Sequence, residues 1–538
     1  MKKHHSLLAL AMLLSSIAFT QNSFQKQINA VGGSVSDPRM AAIDGGGTII
    51  TGSYVSSRVS LNKVMLAKLD KDGEPLWARA FGSDNANYYP LAVIPCRDGG
   101  FVVAGESLDV GFNVFVVKYT GTGVLSWQRK FNYSASGYYS MYLRAGIAAS
   151  DSTILLTGTT NLSSLGDAFV LNMNQSDGNV NWFRAAGTAG LNETGYNINR
   201  TPDNGFVIGG WSGYPGSLGD NFLVVKYNRK GRPEWSKTFW NTNATGNDEI
   251  TGIAAAPDGG YVFTGDTYTS NNSYDRVLVK LAADGSLEWG RQLKMPSYDV
   301  SADVINTKDG SYIIGGSNGN GNAVVTRFTA DGDSAFTTRF DTFRNYGSLM
   351  RQGKKIYSVT SSAISARSAI VITGYDSLVQ TCDAVTTVDT VSNFPLNTIS
   401  RTYHSADLTD SLISYPSLLS DTAITLVTKL LCWDSVPVPV TQNDVSDITA
   451  KGATAVAVSV YPNPVAGSSL HIRLSGFTGP VTVLISDMQG RVVAQQNIRS
   501  DAALSATTIN IGQLTPGTYA LTVTAAGRKG VVKFIKMQ

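Results

Sequence analysis

Charge, histidine, cysteine and long apolar runs are all scarce in this chain. Acidic and basic side chains make up 15% of its 538 residues, and 43 Lys and Arg nearly balance 40 Asp and Glu. A net charge of +3 excludes the dense basic surface that a nucleic-acid backbone needs, and equally an acidic tail. Low charge does not imply disorder here, because 43% of residues are apolar and recur in ordered runs. Of four histidines, His4 and His5 stand at the extreme amino terminus, and only His404 and His471 lie beyond it. A multi-histidine metal site is therefore excluded, and a Ser–His–Asp triad would have to use one of those two. Three cysteines, Cys96, Cys382 and Cys432, are spaced too widely for a zinc or iron–sulfur signature. In an oxidising compartment Cys382 and Cys432 could pair and leave Cys96 reduced. Calcium-like spacing at 71–73 and 331–333 lacks the remaining ligands, so no metal and no cofactor is expected.

The apolar run at the amino terminus is short. Lys2 and Lys3 precede apolar residues 7–14, followed by Ser15, Ser16 and Ala18. The run falls short of the roughly 20 residues that cross a bilayer. A basic start, a short apolar stretch and small residues read as a secretory signal peptide over residues 1–21. No later segment is long and apolar enough to span a membrane, so a soluble, exported mature chain is expected.

Glycine is abundant, at 54 residues, and it recurs. The phrase at 44–52 (DGGGTIITG) returns at 98–105 (DGGFVVAG), 151–158 (DSTILLTG), 203–210 (DNGFVIGG), 258–265 (DGGYVFTG) and 309–316 (DGSYIIGG). The closing glycines are 53, 53, 52, 55 and 51 residues apart. Each phrase leads into an apolar strand ending at Lys68, Lys118, Asn172, Lys226, Lys280 or Arg327. A turn and an aromatic follow: Trp77, Trp127, Trp182, Trp235, Trp289 and Phe336.

Each unit supplies about four short strands, near 89–95, 101–105, 114–119 and 125–131 in the second. Four antiparallel strands joined by tight glycine turns, at this period, make a β-propeller blade. Residues 354–360 and 369–373 resemble two strands of a further blade. Residues 24–33 (FQKQINAVGG) resemble 77–83 (WARAFGS). The amino-terminal strand is therefore expected to complete a seventh blade and close the ring, removing exposed edges. Six or eight blades remain open on spacing alone. The repeated tryptophans read as packing between blades, and the glycines as relief of crowding or positive φ in turns.

The longer links emerge on one face of such a ring. Tyr88, Tyr138, Tyr196, Trp211, Tyr214, Trp240, Tyr268 and Tyr274 stand there among Asn and Ser. Such a face suits stacking and hydrogen bonding to a glycan or a protein, and rim packing accounts for the same residues. Asp84, Glu106, Asp109, Glu193, Asp220, Asp248, Glu249, Asp266 and Asp299 lie on the same face. Two acids at a suitable separation could cleave a glycosidic bond. Nothing in the sequence shows two converging, and no residue is singled out as catalytic. The favoured reading is a binding module without catalysis. The alternatives are a glycoside hydrolase or lyase, and a structural surface protein whose ring only spaces partners.

The repeat is lost over 376–452, which reads as a connector with partial β structure. Residues 453–538 supply seven short strands, expected to form a small immunoglobulin-like β-sandwich. They contain YPNP at 461–464, VTVLISDMQGRVV at 481–493, LTPGTYALTV at 514–523 and RKGVVKFIK at 528–536. In order and distance from the carboxy terminus, these motifs resemble the type A sorting domain of the Bacteroidetes type IX secretion system. The resemblance implies the secretion machinery as partner, export across the outer membrane, and removal of the domain. The cargo would then be released or held on surface lipopolysaccharide. The resemblance places the sorting signal on Pro462, Asn463, Pro464, Gly517, Tyr519, Lys529, Lys533 and Lys536. Residues 22–375 resemble the Asp-Gly-Gly repeat propellers of exported bacterial proteins. That likeness carries a fold and no catalytic residues. The whole chain is thus expected to be all-β: a seven-bladed propeller, then a sandwich, outside the cell.

Overall fold

The structure is a computed structural model. It describes residues 24–433 and 457–536, except 44–46, 59, 109–111, 133–140, 162–165, 214–218, 242–245, 270–272, 294–299, 334, 354, 363–368, 376–384, 390, 401–403, 408–412, 416–419, 462–464, 466, 476–478, 488–491, 501–503 and 526–527. The chain divides into two compact units, Met1–Val438 and Pro439–Gln538. The ordered elements of both are β-strands.

The first unit is a ring of seven antiparallel blades. Blade 1 spans residues 33–82, blade 2 87–132, blade 3 141–187, blade 4 193–241 and blade 5 248–293. The long strand Ala335–Gln352 ends blade 6 with one half and begins blade 7 with the other. Lys355–Ser362 and Ala369–Tyr375 continue blade 7, and Phe24–Ala30 pairs with the latter as its fourth strand. The first strands of consecutive blades touch all the way round, from Gly33–Ala42 to Ala335–Gln352 and back. The fold is therefore a closed seven-bladed β-propeller, with its apolar cores between blades. Ile94 and Val116 of blade 2, for instance, bury themselves against Leu143 and Phe169 of blade 3.

The repeated residues hold these seams. Trp127 donates its Nε1–H to the Gln175 carbonyl of the next blade at 3.0 Å. A Cβ on Gly178 would lie 2.7 Å from that indole, so only glycine fits over it. The same fit recurs at Trp77 and Gly123, Trp182 and Gly231, Trp235 and Gly285, and Trp289 and Gly332. Lys226 and Lys280 are buried and reach Asp203 and Asp258 at 2.7 Å. The other oxygen of each aspartate accepts the N–H of Gly205 or Gly260 at 3.0 Å, which closes the turn.

The closing glycine of the phrase answers to a different constraint. Every first strand described in blades 1–6 carries a β-bulge opposite it. A bulge pushes backbone out of the ladder. A Cβ on Gly105, Gly158, Gly210, Gly265 or Gly316 would sit 1.8–2.2 Å from a carbonyl oxygen of that bulged strand.

The ring does not end at residue 375. The stretch read above as a connector runs round the ring and adds a fifth, outermost strand to every blade. Val385–Asp389 pairs with blade 6, Val391–Asn393 with blade 5 and Leu396–Ser400 with blade 4. His404–Asp407, Ile413–Tyr415 and Ser420–Ala423 follow on blades 3, 2 and 1. Leu426–Trp433 ends on blade 7, against Phe24–Ala30. All seven pairings are antiparallel. The strap lacks an apolar period because each piece is an edge strand, and the side chains of Leu396–Ser400 are mostly exposed. The Cys382 and Cys432 side chains lie outside the described residues.

The second unit is a two-sheet sandwich. Ala457–Tyr461, Ser469–Ser475 and Leu504–Asn510 form one sheet; Gly479–Asp487, Val492–Ser500, Gly517–Ala525 and Arg528–Lys536 form the other. Leu470, Ile472, Val483, Ile485, Leu521 and Phe534 fill the space between.

Candidate functional site

In blades 2–6 the bulge takes one residue of the first strand out of the ladder, on the strands that touch from blade to blade round the ring. These residues are Leu91, Arg144, Tyr196, Thr251 and Ala302 in blades 2–6. Their variety marks this ring of positions as the place where the repeat stops dictating chemistry. Arg144 of blade 3 lies over the Tyr196 ring of blade 4, 5.3 Å from its centroid. The Trp211 indole N–H donates to the Tyr196 hydroxyl, and burial raises the tyrosine pKa.

Carboxyl groups surround this pair. Glu106 directly follows the closing glycine of blade 2 and is only 9% exposed. Burial raises its pKa, while the Arg144 charge and the Leu143 backbone N–H of blade 3 oppose that. Glu249 of blade 5 is raised by burial and by Asp220, again opposed by Arg144. Asp220 begins the third strand of blade 4 and is raised by burial. Asp266, opposite Glu249 in the ladder, is pushed up to about 7 by burial. It accepts the Ser301 N–H at 2.7 Å and the Ser301 hydroxyl at 2.8 Å, which fixes it to blade 6. Glu106, Arg144, Tyr196, Trp211, Asp220 and Glu249 thus form one electrostatically coupled cluster drawn from blades 2–5. Among the described residues no three His, Cys, Asp or Glu side chains gather closely enough to hold a metal ion.

Not all the face residues expected from the sequence meet here. Tyr196 and Trp211 do. Tyr88 is 3% exposed and packs on Phe115 in the core, so its ring is closed to a ligand. Tyr268 and Tyr274 pair across one hairpin of blade 5, with centroids 5.3 Å apart. Trp240 stands on the fourth strand of blade 4, opposite Asn397 of the strap. Tyr138 and Tyr214 lie outside the described residues. Glu193 and Asp248 serve the seams: Glu193 accepts the Thr188 N–H at 2.8 Å and Asp248 that of Asn241 at 3.1 Å. Arg144 escaped the sequence reading, yet a signal exists. It stands fourteen residues before Gly158, as Tyr196 does before Gly210 and Thr251 before Gly265.

In the sandwich, Tyr519 is buried and stacks on Phe534, with centroids 5.6 Å apart. Its hydroxyl donates to the Thr515 carbonyl at 2.8 Å, which fixes the turn before the strand that exposed Gly517 begins. Lys536 donates to the Gly467 carbonyl at 2.6 Å. Pro462, Asn463 and Pro464, and the side chains of Lys529 and Lys533, lie outside the described residues. No helix among the described residues is long and apolar enough to cross a membrane.

Solved structures similar to this chain share little sequence with it. A protein of unknown function from Dyadobacter fermentans is 10% identical, with a TM-score of 0.36, over 64% of this chain and 98% of its own. PorZ, a surface component of the type IX secretion system of Porphyromonas gingivalis, is 10% identical, with a TM-score of 0.22, over 95% and 100%. A puromycin hydrolase is 14% identical, with a TM-score of 0.41, over 66% and 54%. No curated protein matches the chain. Residues 459–537 match the family described as the secretion system C-terminal sorting domain, which marks this chain for export by the type IX system to the cell surface.

Proposed function

We propose that the exported ring is a non-catalytic binding module, and that its ligand, a glycan or a protein, seats at the polar and aromatic cluster of blades 2–5. One observation carries this reading. The bulge positions filled by Leu91, Thr251 and Ala302 in other blades hold Arg144 and Tyr196 in adjacent ones, coupled to acids and to Trp211. Half-buried aromatics beside a few convergent polar groups are the usual composition of a recognition site. The sorting unit supplies the other half of the function. Its contact with the secretion machinery would use Pro462, Asn463, Pro464 and the exposed Gly517, with Lys529, Lys533 and Lys536. Buried Tyr519 holds the strand in place.

The test is an array of glycans and surface proteins probed with the full chain from residue 22, alongside Trp211→Ala and Glu249→Gln variants. Binding to one class, weakened tenfold or more by both changes, is expected. Binding untouched by both, in variants with wild-type melting curves, moves the ligand elsewhere. A bound glycan that yields shortened products over time favours the alternative, a hydrolase using Glu249 with another acid of the cluster.

A further inference from the structure

The fourth strands of blades 1–4 end at Gly82, Asn132, Gly187 and Asn241. In blade 1 the stem of Lys63 lies over the glycine, 3.2 Å from where a Cβ would stand, and its ammonium pairs with Asp84 at 2.8 Å. In blade 3 two acids meet instead. A Cβ on Gly187 would lie 2.3 Å from a carboxyl oxygen of Asp167 and 2.5 Å from one of Glu193. One acid from each blade thus closes on the gap that the missing side chain leaves. Burial raises the pKa of Asp167, and burial with the Asp167 charge pushes Glu193 up to about 7. Thr160 stands directly opposite Asp167 in the ladder, so both side chains leave the sheet on one side. It is 0% exposed, and its hydroxyl has no partner among the described residues. The same pair recurs in blade 5 as Thr267 and Asp275, but there Asn241 donates to the hydroxyl at 3.3 Å and Gln292 to the carboxylate at 2.7 Å. A buried hydroxyl without a partner, beside two acids without a cation, calls for an occupant. Asp167 and Gly187 are partly exposed, so the gap opens to solvent.

We propose that blades 3 and 4 hold a divalent cation between Asp167 and Glu193, with the Thr160 hydroxyl as a further oxygen ligand and water completing its shell. Divalent metal–oxygen bonds run to about 2.0–2.6 Å, so one ion can touch both converging carboxyl groups. An anion would be repelled by the two acids, and a neutral guest would leave them facing each other. Donors that are all oxygen select a hard ion of the calcium or manganese class. The strap passes here too, with His404 opposite Gly187 in the ladder, so the ion would sit where two blades and the strap meet. It would do for blade 3 what the Lys63 ammonium does for blade 1.

The test is Mn²⁺ binding to the full chain from residue 22, read from the EPR signal of the free ion, with Ca²⁺ as competitor. One saturable site per chain is expected, with a Kd below about 1 mM, the range of extracellular calcium modules. Ca²⁺ should displace the Mn²⁺. Asp167→Asn and Glu193→Gln keep the side-chain size, and the amide oxygen at 193 can still accept the Thr188 N–H. Each should weaken binding tenfold or more. Asp275→Asn, at the matching position of blade 5, should leave binding unchanged. A second arm needs no variant, and it decides the matter if a substituted chain loses the wild-type melting curve. A crystal soaked in Mn²⁺ should show an anomalous peak in contact with Asp167 and Glu193. The absence of a saturable site in the folded chain overturns the proposal. So does binding that survives both substitutions, or an anomalous peak elsewhere with none at this pair.

Discussion

Raising the pH from 5 to 8 should loosen the ring, because five of its seams are bridged by acids that prefer to be neutral. Glu106 takes the Leu143 N–H, Glu193 that of Thr188, Asp248 that of Asn241, Asp266 that of Ser301, and Asp303 that of Leu349. Burial is the first cause of the shift at each one. It pushes Glu193, Asp248 and Asp266 up to about 7 and Asp303 to about 6. In the unfolded chain these groups titrate near 4. Between pH 4 and 7 the folded ring therefore holds more protons, and its stability falls as pH rises through that window. For Asp266 the displacement from 3.8 to about 7 corresponds to roughly 4 kcal/mol between the ends of the window. The opposite slope appears only in stronger acid. Asp203, opposed by burial but held at about 2 by Lys226, Thr201 and the Gly205 N–H, loses its contribution as pH falls from 4 toward 2. The assay is the urea midpoint of tryptophan fluorescence at pH 5 and pH 8, for the wild type and Asp266→Asn. The wild-type midpoint should be lower at pH 8. The amide retains an oxygen acceptor for Ser301 and does not ionise, so the variant should show a shallower fall. A midpoint that rises toward pH 8, or a slope unchanged in Asp266→Asn, refutes the reasoning.

Three further outcomes are expected. Gly158→Ala should cost more than about 3 kcal/mol, because its Cβ would stand 1.8 Å from the Tyr142 carbonyl oxygen. Gly99→Ala has open space and only a left-handed φ of 76° to contend with, so about 1–2 kcal/mol is expected. Equal urea midpoints for the two variants would remove the steric account of the repeat glycine. A chain cut after residue 375 loses all seven outer strands, so it should aggregate or melt well below one cut after residue 438. Coincident melting curves would make the strap dispensable. Cys96 is 7% exposed and burial pushes its thiol up to about 11, so in the native chain iodoacetamide should label it only as fast as the ring opens. Rapid labelling of the native chain would contradict that burial.

The blade count was legible because one constraint repeats. Only glycine fits against the bulged first strand, and at five seams a flat indole lies under the glycine turn of the next blade. Those two fits recur at a fixed spacing and can be counted. The amino-terminal strand was legible for the same reason, since its sequence copies the fourth strands. The strap was not, because an edge strand draws its bonds from a neighbour's backbone and leaves its own side chains free to vary. The candidate site was half legible. Tyr196 and Trp211 stood out as aromatics on a polar background, whereas Tyr88 looked the same and turned inward onto Phe115. Arg144 shows only when the phrases are aligned backwards through the bulge, a feature that exists in three dimensions and not in the strand pattern.

The strap also determines how the ring would meet a mechanical load. A pull on the chain beyond Trp433 reaches Leu426–Trp433 first, the longest of the outer strands at 8 residues. Next in line are Ser420–Ala423, Ile413–Tyr415 and His404–Asp407, of 4, 3 and 4 residues. Each is a short ladder with its own blade, so it yields separately and pays out a little slack before the next takes up the tension. The inner four strands of every blade stay bonded to one another while this happens. The ring is in effect wrapped in a hoop whose first ladder loads the closing strand Phe24–Ala30 directly and whose later ladders let go one blade at a time.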